Sequence, residues 1–239
     1  MFNRKKSFSY KEQKKQRHKF IKMFFVFLVL YVLYNLLITF YVSAWVLDNN
    51  TMQPGFNAGD RLIFTSFRMP VGNNLSQEQL PFRRGSIVLV DMNSLRDRPV
   101  MLRLLDGVVR FFTFQRVTIF SGEGQYYIKR VIGLPGDEIF MTNYVFRIMP
   151  SGSQFSLTEF ELSHRPYHLI IPQVTTLWDE SIPFSGSIEP FVLGANEVFV
   201  VSDDRSNTND SRTWGPVPLS NITARALFRF WPVTRFDIF

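Results

Sequence analysis

A lysine within an apolar stretch is the residue of this sequence best suited to move protons. Lys129 lies in QYYIKRVIGLPGD, where Ile128, Val131 and Ile132 give it apolar neighbours. A strand at this position would partly bury the amine, and burial lowers a lysine pKa because it disfavours the charged form. A neutral amine can then take a proton from a hydroxyl group. The alternative is a lysine whose stem lies along an edge strand while its ammonium stays in water.

Other common catalytic groups are scarce. The sequence has no cysteine, which excludes disulfides, thiolate nucleophiles and zinc–thiolate sites. Of its three histidines, His18 lies in a basic N-terminal segment, and His164 and His168 flank Pro166 and do not form a helical metal pair. We find no basis for a Ser-His-Asp triad and no His-Glu-x-x-His motif. We therefore expect neither a metal nor a cofactor, and a hydrolase would need lysine as its base.

A candidate hydroxyl lies in the segment DNNTMQPGFNAGD, residues 48–60. Its Asn, Asp, Gly and Pro residues are unfavourable in helices and strands, so the segment is predicted to be a turn-rich loop. Within this loop Met52 and Phe56 are apolar, and Thr51 carries a hydroxyl. This pattern predicts a loop with two buried anchors and raises the question of whether Thr51 takes part in chemistry.

Charge and hydropathy set the first 45 residues apart. Residues 1–22 form a strongly basic tail, and the uncharged run Met23–Trp45 follows it. At about 1.5 Å per residue, a helix of this length spans the roughly 30 Å hydrocarbon core of a bilayer. The positive-inside rule then predicts a single-pass anchor at 23–45, with residues 1–22 in the cytoplasm and the body on the extracytoplasmic face. We expect contact with a lipid bilayer and no nucleic acid partner.

A cleaved signal peptide is the alternative interpretation of the same segment. Val42-Ser43-Ala44 resembles a small-residue cleavage site. The apolar run is longer than the usual core of about 7–15 residues, and the basic region before it is long. These two features favour an uncleaved anchor.

Beyond the apolar run, the sequence indicates a mainly β, antiparallel body. Short runs rich in β-branched and aromatic residues alternate with Gly, Pro, Asn and Asp, which is typical of such bodies. The predicted strands lie at 61–67, 84–91, 126–134, 197–204 and 222–232. We expect a core from 46–140 and 196–239, with 141–195 as an inserted subdomain. Residues 101–120 are predicted to be either a hairpin packed on the core or a lipid-contacting segment.

Four blocks of the sequence, in order, resemble the motifs of bacterial type I signal peptidases. They are NTMQPGFNAGDRLIF, RRGSIVLV, YYIKRVIGLPGDEI and SDDRSNTNDSRTWGPVPLSNITARALFRFWP. The blocks cover about a third of the residues and follow the apolar run in the family's order. The resemblance implies a β-rich domain with a Ser/Lys dyad at a membrane surface. Its implied substrates are exported preproteins, cut after small residues as their signal peptides are removed.

The resemblance also implies a role for each matched position. Lys129 is the expected general base, and Thr51 occupies the position of the nucleophilic serine. Thr208 occupies the position of the serine that orients the lysine amine. The expected oxyanion donors are the Thr51 backbone N–H and the Asn49 side chain, although Asn49 could instead form an Asx turn. The remaining expectations are structural support from Asp210, Arg212 and Arg130, and substrate contacts from Met52, Ile87 and Val88.

Three residues depart from the family's pattern. Ser202 stands where the last block usually has glycine, and Thr51 and Thr208 each stand where a serine is usual. Both hydroxyls are retained, but a β-branch restricts the side chain and adds a methyl group beside the substrate. Misplacement of a reacting group by about 1 Å can cost 10²-fold in rate. Two interpretations therefore remain open: an endopeptidase with a Thr/Lys dyad, or a catalytically silent homologue that binds signal peptides or a secretion partner.

Overall fold

The amino-terminal helix leads directly into the first strand. The computed structural model describes residues 10–67, 76–92, 125–172 and 186–239, together with Val109. Helix α1 is Tyr10–Tyr41, and strand β1 is Val42–Val46. The predicted helix at 23–45 is therefore wrong at its end, because all five residues of β1 pair antiparallel with residues 61–65. Within the described residues, no helix has both the length and the apolar character needed to cross a membrane.

Eleven strands follow β1 in the described residues, and five of them lie at the predicted positions. They are β2 (Arg61–Ser66), β3 (Ile87–Asp91), β4 (Tyr126–Gly133), β5 (Glu138–Thr142), β6 (Val145–Met149), β7 (Leu157–Thr158), β8 (Ile188–Val192), β9 (Glu197–Val201), β10 (Val217–Pro218), β11 (Ile222–Trp231) and β12 (Asp237–Ile238). Two short helices are α2 (Glu159–Leu162) and α3 (Ser211–Trp214), and short 3₁₀ turns occur at Gln77–Gln79, Leu219–Asn221 and Val233–Arg235.

The main sheet brings together strands from both ends of the chain. Its order in the described residues is β1-β2-β11-β3-β4-β9-β10, and β12 pairs with β11. Every pairing in it is antiparallel. The sheet places β4, which carries Lys129, between β3 and β9, so the residue lies on a central strand. The prediction of a mainly β, antiparallel body is confirmed.

A second sheet is built from residues that lie between β4 and β9 in the chain. Its order in the described part is β7-β6-β5-β8. Its apolar side chains, among them Ile139, Phe146 and Ile148, pack with Phe199 and Val201 of β9 in one buried cluster. This shared core packs the second sheet against the main sheet, although its residues form a long insertion between the paired strands β4 and β9.

The 48–60 loop is anchored to the core by the two apolar side chains noted in its sequence. Met52 and Phe56 are buried in a cluster with Leu47, Leu62 and Leu89. Burying a side chain of this size stabilises the fold by about 1.5–3 kcal/mol. The anchors fix the loop on the main sheet although its backbone is neither helix nor strand.

Three phenylalanines lie in β2, just after β2 and just before β3. Phe64 and Phe82 are buried in the core and Phe67 packs against it, so these rings belong to the core. The predicted hairpin or lipid-contacting segment at 101–120 lies, apart from Val109, outside the described residues.

Candidate active site

Residues 202–204, which directly follow β9, contact the other residues of the candidate site. Ser202 accepts a hydrogen bond from the Lys129 amine, and Asp203 accepts two from Arg130. The Asp204 backbone N–H donates to the Thr51 carbonyl at 3.0 Å. The segment 202–204 therefore joins β4 to the loop that carries Thr51, which brings together three of the residues singled out in the sequence.

Lys129 is buried in a polar and aromatic environment. Only 1% of the residue is exposed. Its Nζ lies 2.7 Å from Ser202 Oγ and 5.9 Å from the ring centroids of both Tyr127 and Trp214. Burial lowers the pKa of Lys129 to about 8, against an opposing effect of the Asp210 charge. About a tenth of the amine is therefore neutral at pH 7, far more than for an ordinary lysine, and this fraction can act as a general base.

The hydroxyl that contacts the amine belongs to Ser202, whereas the resemblance assigned this role to Thr208. Ser202 directly follows β9, whose Val201 pairs with Arg130, so its side chain lies beside β4. Thr208 lies further along, where its carbonyl accepts from the backbone N–H of Asp210 and the hydroxyl of Thr213. The orienting role of Thr208 stays a prediction, and the observed contact is a different one.

Thr51 interacts with Asn49 through both of its donors. Its hydroxyl lies 2.7 Å from Asn49 Oδ1, and its backbone N–H lies 3.2 Å from the same oxygen. A backbone N–H can only donate, so the amide oxygen of Asn49 faces Thr51 and an Asx turn is formed. In this conformation the Thr51 N–H is already engaged, and it would have to leave Asn49 before donating to an oxyanion.

Two buried ion pairs flank the lysine. Arg130 pairs with Asp203, and Arg212 pairs with Asp210, with the side chains of the second pair fully buried. Burial opposes ionisation of Asp210, but hydrogen bonds and charge from Arg212 hold its pKa below the ordinary value. Asp210 Oδ2 also accepts the Ser202 backbone N–H at 2.9 Å. The Asp210 pair thus holds the backbone of the residue that touches Lys129.

The second sheet contributes a third buried pair, which the sequence had not suggested. Glu159, at the start of α2, pairs with Arg205, and both side chains are fully buried. Glu159 also accepts from the Tyr167 hydroxyl, while the Tyr167 ring lies 3.9 Å from the guanidinium of Arg130. Burial and the Glu159 charge raise the pKa of Tyr167, which keeps this hydroxyl protonated.

The segment 202–205 also contacts the part of the chain between β7 and β8. The Arg205 backbone N–H donates a hydrogen bond to the Ile170 carbonyl.

The predicted substrate contacts are core residues in this structure. Met52 and Val88 are fully buried, and Ile87 is nearly so. Val88 lies opposite Lys129 in the β3–β4 pairing, and its side chain packs in the buried apolar cluster that includes Val90 and Val131. The substrate contacts of these three residues stay a prediction, because each side chain packs in the core here and would have to become exposed to touch a bound peptide.

Comparison of the sequence with known proteins shows the family to which the chain belongs. The family model described as signal peptidase, peptidase S26, matches residues 17–231. The chain belongs to the signal peptidase family. Membership indicates a peptidase and agrees with the four sequence blocks.

Individual members of the signal peptidase family match over different lengths. Signal peptidase I of Leptolyngbya laminosa is 28% identical over 198 residues, covering 82% of this chain and 72% of that protein. Signal peptidase I of Bacillus caldolyticus is 27% identical over 202 residues, covering 82% and 84%. The probable signal peptidase I-1 of Synechocystis sp. is 35% identical over 112 residues, covering 47% of this chain and 46% of that protein. The chain thus spans less than half the length of the Synechocystis protein in that match.

Two residues of the candidate site, Ser202 and Glu159, were not predicted from the sequence. Ser202 was visible as a departure, since the family pattern has glycine there, but its hydroxyl was given no role. Glu159 carried no local signal, because it lies far from the matched blocks and its partner Arg205 is distant in sequence. A buried carboxylate in an otherwise unassigned segment becomes visible only once the chain is folded.

Proposed function

We propose that this protein is an endopeptidase that removes N-terminal signal peptides from exported preproteins by a Thr/Lys dyad. Thr51 is the nucleophile, and Lys129 is the general base. The observation that carries the proposal is the buried Lys129 amine, which contacts the segment that holds the Thr51 loop. Burial lowers the pKa of this amine to about 8, so a neutral fraction can act as a base. Membership of the signal peptidase family and the signal peptidase I relatives support the substrate class.

The first half of the proposed reaction breaks the peptide bond. The Thr51 hydroxyl attacks the scissile carbonyl carbon while neutral Lys129 takes its proton. The tetrahedral intermediate collapses, and the ammonium of Lys129 gives a proton to the leaving amine. The mature protein departs with a free amino terminus, and the signal peptide remains as an ester on Thr51.

The second half regenerates the enzyme. Neutral Lys129 takes a proton from water as the water attacks the ester carbonyl. Collapse of the second intermediate releases the signal peptide as a carboxylic acid and returns the proton from Lys129 to the Thr51 oxygen. Both halves need the Thr51 hydroxyl to turn from Asn49 towards the amine, and the oxyanion needs a donor such as the Thr51 N–H.

A cleavage assay tests this proposal. The purified full chain is incubated with a radiolabelled preprotein, and the product is identified by amino-terminal sequencing. A single cut after a small residue supports the proposal. A preprotein left intact, under conditions in which an authentic signal peptidase I cleaves it, contradicts the proposal.

A second candidate function is binding without cleavage. It is favoured by the Asn49 contacts, which engage both the hydroxyl and the N–H of Thr51. A silent homologue would bind a signal peptide beside Thr51 and release it unchanged. Fluorescence anisotropy of a labelled signal peptide, measured together with the cleavage assay, separates the two functions, because only the silent homologue gives binding with no product.

Membrane attachment through α1 is a further part of the proposal. The described side chains from Phe20 to Tyr34 include many large exposed apolar groups, such as Phe24 and Phe27. The basic segment before them would meet anionic headgroups on the cytoplasmic side, with the body on the extracytoplasmic face of a bacterial inner membrane. Flotation with liposomes tests the attachment: the full chain should float, and the chain lacking residues 1–41 should not.

A further inference from the structure

Ser202 occupies a position from which it can control the lysine amine but cannot reach a substrate. Its Oγ lies 2.7 Å from Lys129 Nζ, and none of its surface is exposed. A serine within hydrogen-bond distance of a lysine resembles a nucleophile and its base. Complete burial excludes that role in this conformation, since a peptide carbonyl cannot approach the oxygen. The contact must therefore act on Lys129 itself.

We infer that Ser202 is the residue that positions the Lys129 amine for proton transfer, in place of the hydroxyl at position 208. This inference rests on the proposed function, because it names a positioning residue for the same reaction. The Ser202 oxygen accepts one N–H of the amine and so limits rotation about the last bond of the lysine side chain. The remaining directions, including the lone pair of the neutral amine, are then fixed relative to the Thr51 loop.

The backbone around Ser202 is held firmly enough for such a role. The Ser202 N–H donates to Asp210 Oδ2 at 2.9 Å, and Asp210 is fixed by Arg212. On the other side, the Asp203 carbonyl accepts from the Ile170 N–H, and the Asp203 side chain is bound by Arg130. A hydroxyl attached to this segment has little freedom to move away from the amine.

The sequence departs from its family at this residue. The usual residue before the aspartate is glycine, which has no side chain and cannot contact the amine. Serine at 202 supplies a hydroxyl, and the residue aligned with the family's orienting serine, Thr208, directs its carbonyl to Asp210 and Thr213. Both departures have one explanation if Ser202 supplies the orienting hydroxyl that the family has at the position of Thr208.

Three variants of the full chain test the assignment by preprotein cleavage. Ser202→Ala should lower kcat about 10²-fold with little change in KM, because the amine loses its fixed orientation. Thr208→Val, which deletes the rival hydroxyl and keeps the shape, should lower kcat far less. Ser206→Ala removes an exposed hydroxyl of the same loop and serves as the matched control. A larger loss of kcat in Thr208→Val than in Ser202→Ala overturns the inference.

A titration of the amine separates this inference from the proposed function. Lys129 is the single lysine beyond residue 22, so its resonance can be distinguished by NMR in protein labelled with ¹³C-lysine. Loss of the hydroxyl removes a hydrogen bond that favours the ammonium, so Ser202→Ala should lower the Lys129 pKa by about one unit. An unchanged pKa in a folded Ser202→Ala protein overturns the inference. If the parent chain cleaves nothing, the proposed function fails, while the titration still decides whether Ser202 controls the amine.

Discussion

The Thr51 hydroxyl donates to the side-chain oxygen of Asn49 across 2.7 Å, and the Thr51 backbone N–H shares the same acceptor. This relationship directs the hydroxyl proton towards its own loop. The loop is also fixed at the Thr51 carbonyl, which accepts from the Asp204 N–H. Catalysis by Thr51 would therefore require rotation of its side chain, since the backbone is held on both sides.

Substitution of Thr51 tests its role as the nucleophile. Thr51→Val keeps the β-branched shape and deletes only the hydroxyl, so cleavage should fall by at least 10³-fold while the thermal unfolding temperature changes little. Thr51→Ser retains the hydroxyl without the methyl group and should remain active. Both rates are measured with the same labelled preprotein. Full activity in Thr51→Val would show that another group attacks the peptide.

The dependence of cleavage on pH tests Lys129 as the base. The neutral amine is the active form, so kcat/KM should rise with pH until it levels off above a pKa of about 8. Lys129→Arg should be inactive throughout, because a guanidinium does not deprotonate in this range. Initial rates from pH 6 to 10 give the profile. A rate that does not change with pH, in an enzyme limited by chemistry, would contradict the assignment.

The sequence was sufficient for five strands of the main sheet, because these depend on local pattern, but it did not predict the strands of the second sheet. It singled out Lys129 and left open whether the amine is buried. Lys129 lies in a run of apolar and β-branched residues, and such runs predict buried strands irrespective of the rest of the fold. The end of α1 was misplaced since the apolar run continues through Val42, where pairing with β2 decides the conformation.

The contacts of the site were harder to predict, because they depend on turns and on distant residues. Ser202 and Thr208 lie six residues apart in one loop, and only its folded path determines which hydroxyl reaches the amine. Asn49 was expected either to donate to an oxyanion or to close an Asx turn, and the sequence could not separate these alternatives. The Glu159–Arg205 pair joins segments that are 46 residues apart.

Arg212→Ala should change both stability and the pH profile. The variant leaves Asp210 buried without its partner, which costs about 3–5 kcal/mol of folding free energy. It also removes a positive charge that lowers the Lys129 pKa and leaves the raising effect of Asp210 unopposed, so the pKa should increase. The acidic limb of kcat/KM should therefore move to higher pH. A limb that stays in place in a folded variant would mean that this ion pair does not act on the base.

Glu159→Gln tests whether the second sheet supports the site. Glu159 accepts hydrogen bonds from Arg205, Tyr167 and the backbone of Phe146, and an amide would direct N–H groups at some of these donors. The free energy of unfolding should fall by about 3 kcal/mol, because Arg205 loses its partner in a buried site. Urea unfolding measures the change, with Glu189→Gln on the exposed face of β8 as the matched control. Equal stability of the two variants would show that the buried pair contributes little.

The burial of Lys129 also predicts how stability depends on pH. Between its pKa of about 8 in the folded protein and the ordinary value of 10.5, the unfolded chain carries a proton that the folded chain has released. Unfolding then takes up protons, so the folded state gains stability as pH rises through this range. Relative to Lys129→Met, which cannot titrate, the parent should gain about 2–3 kcal/mol between pH 8 and 10.5. Urea unfolding of both proteins at several pH values measures this difference, and a constant difference would mean that the amine is not destabilised by burial.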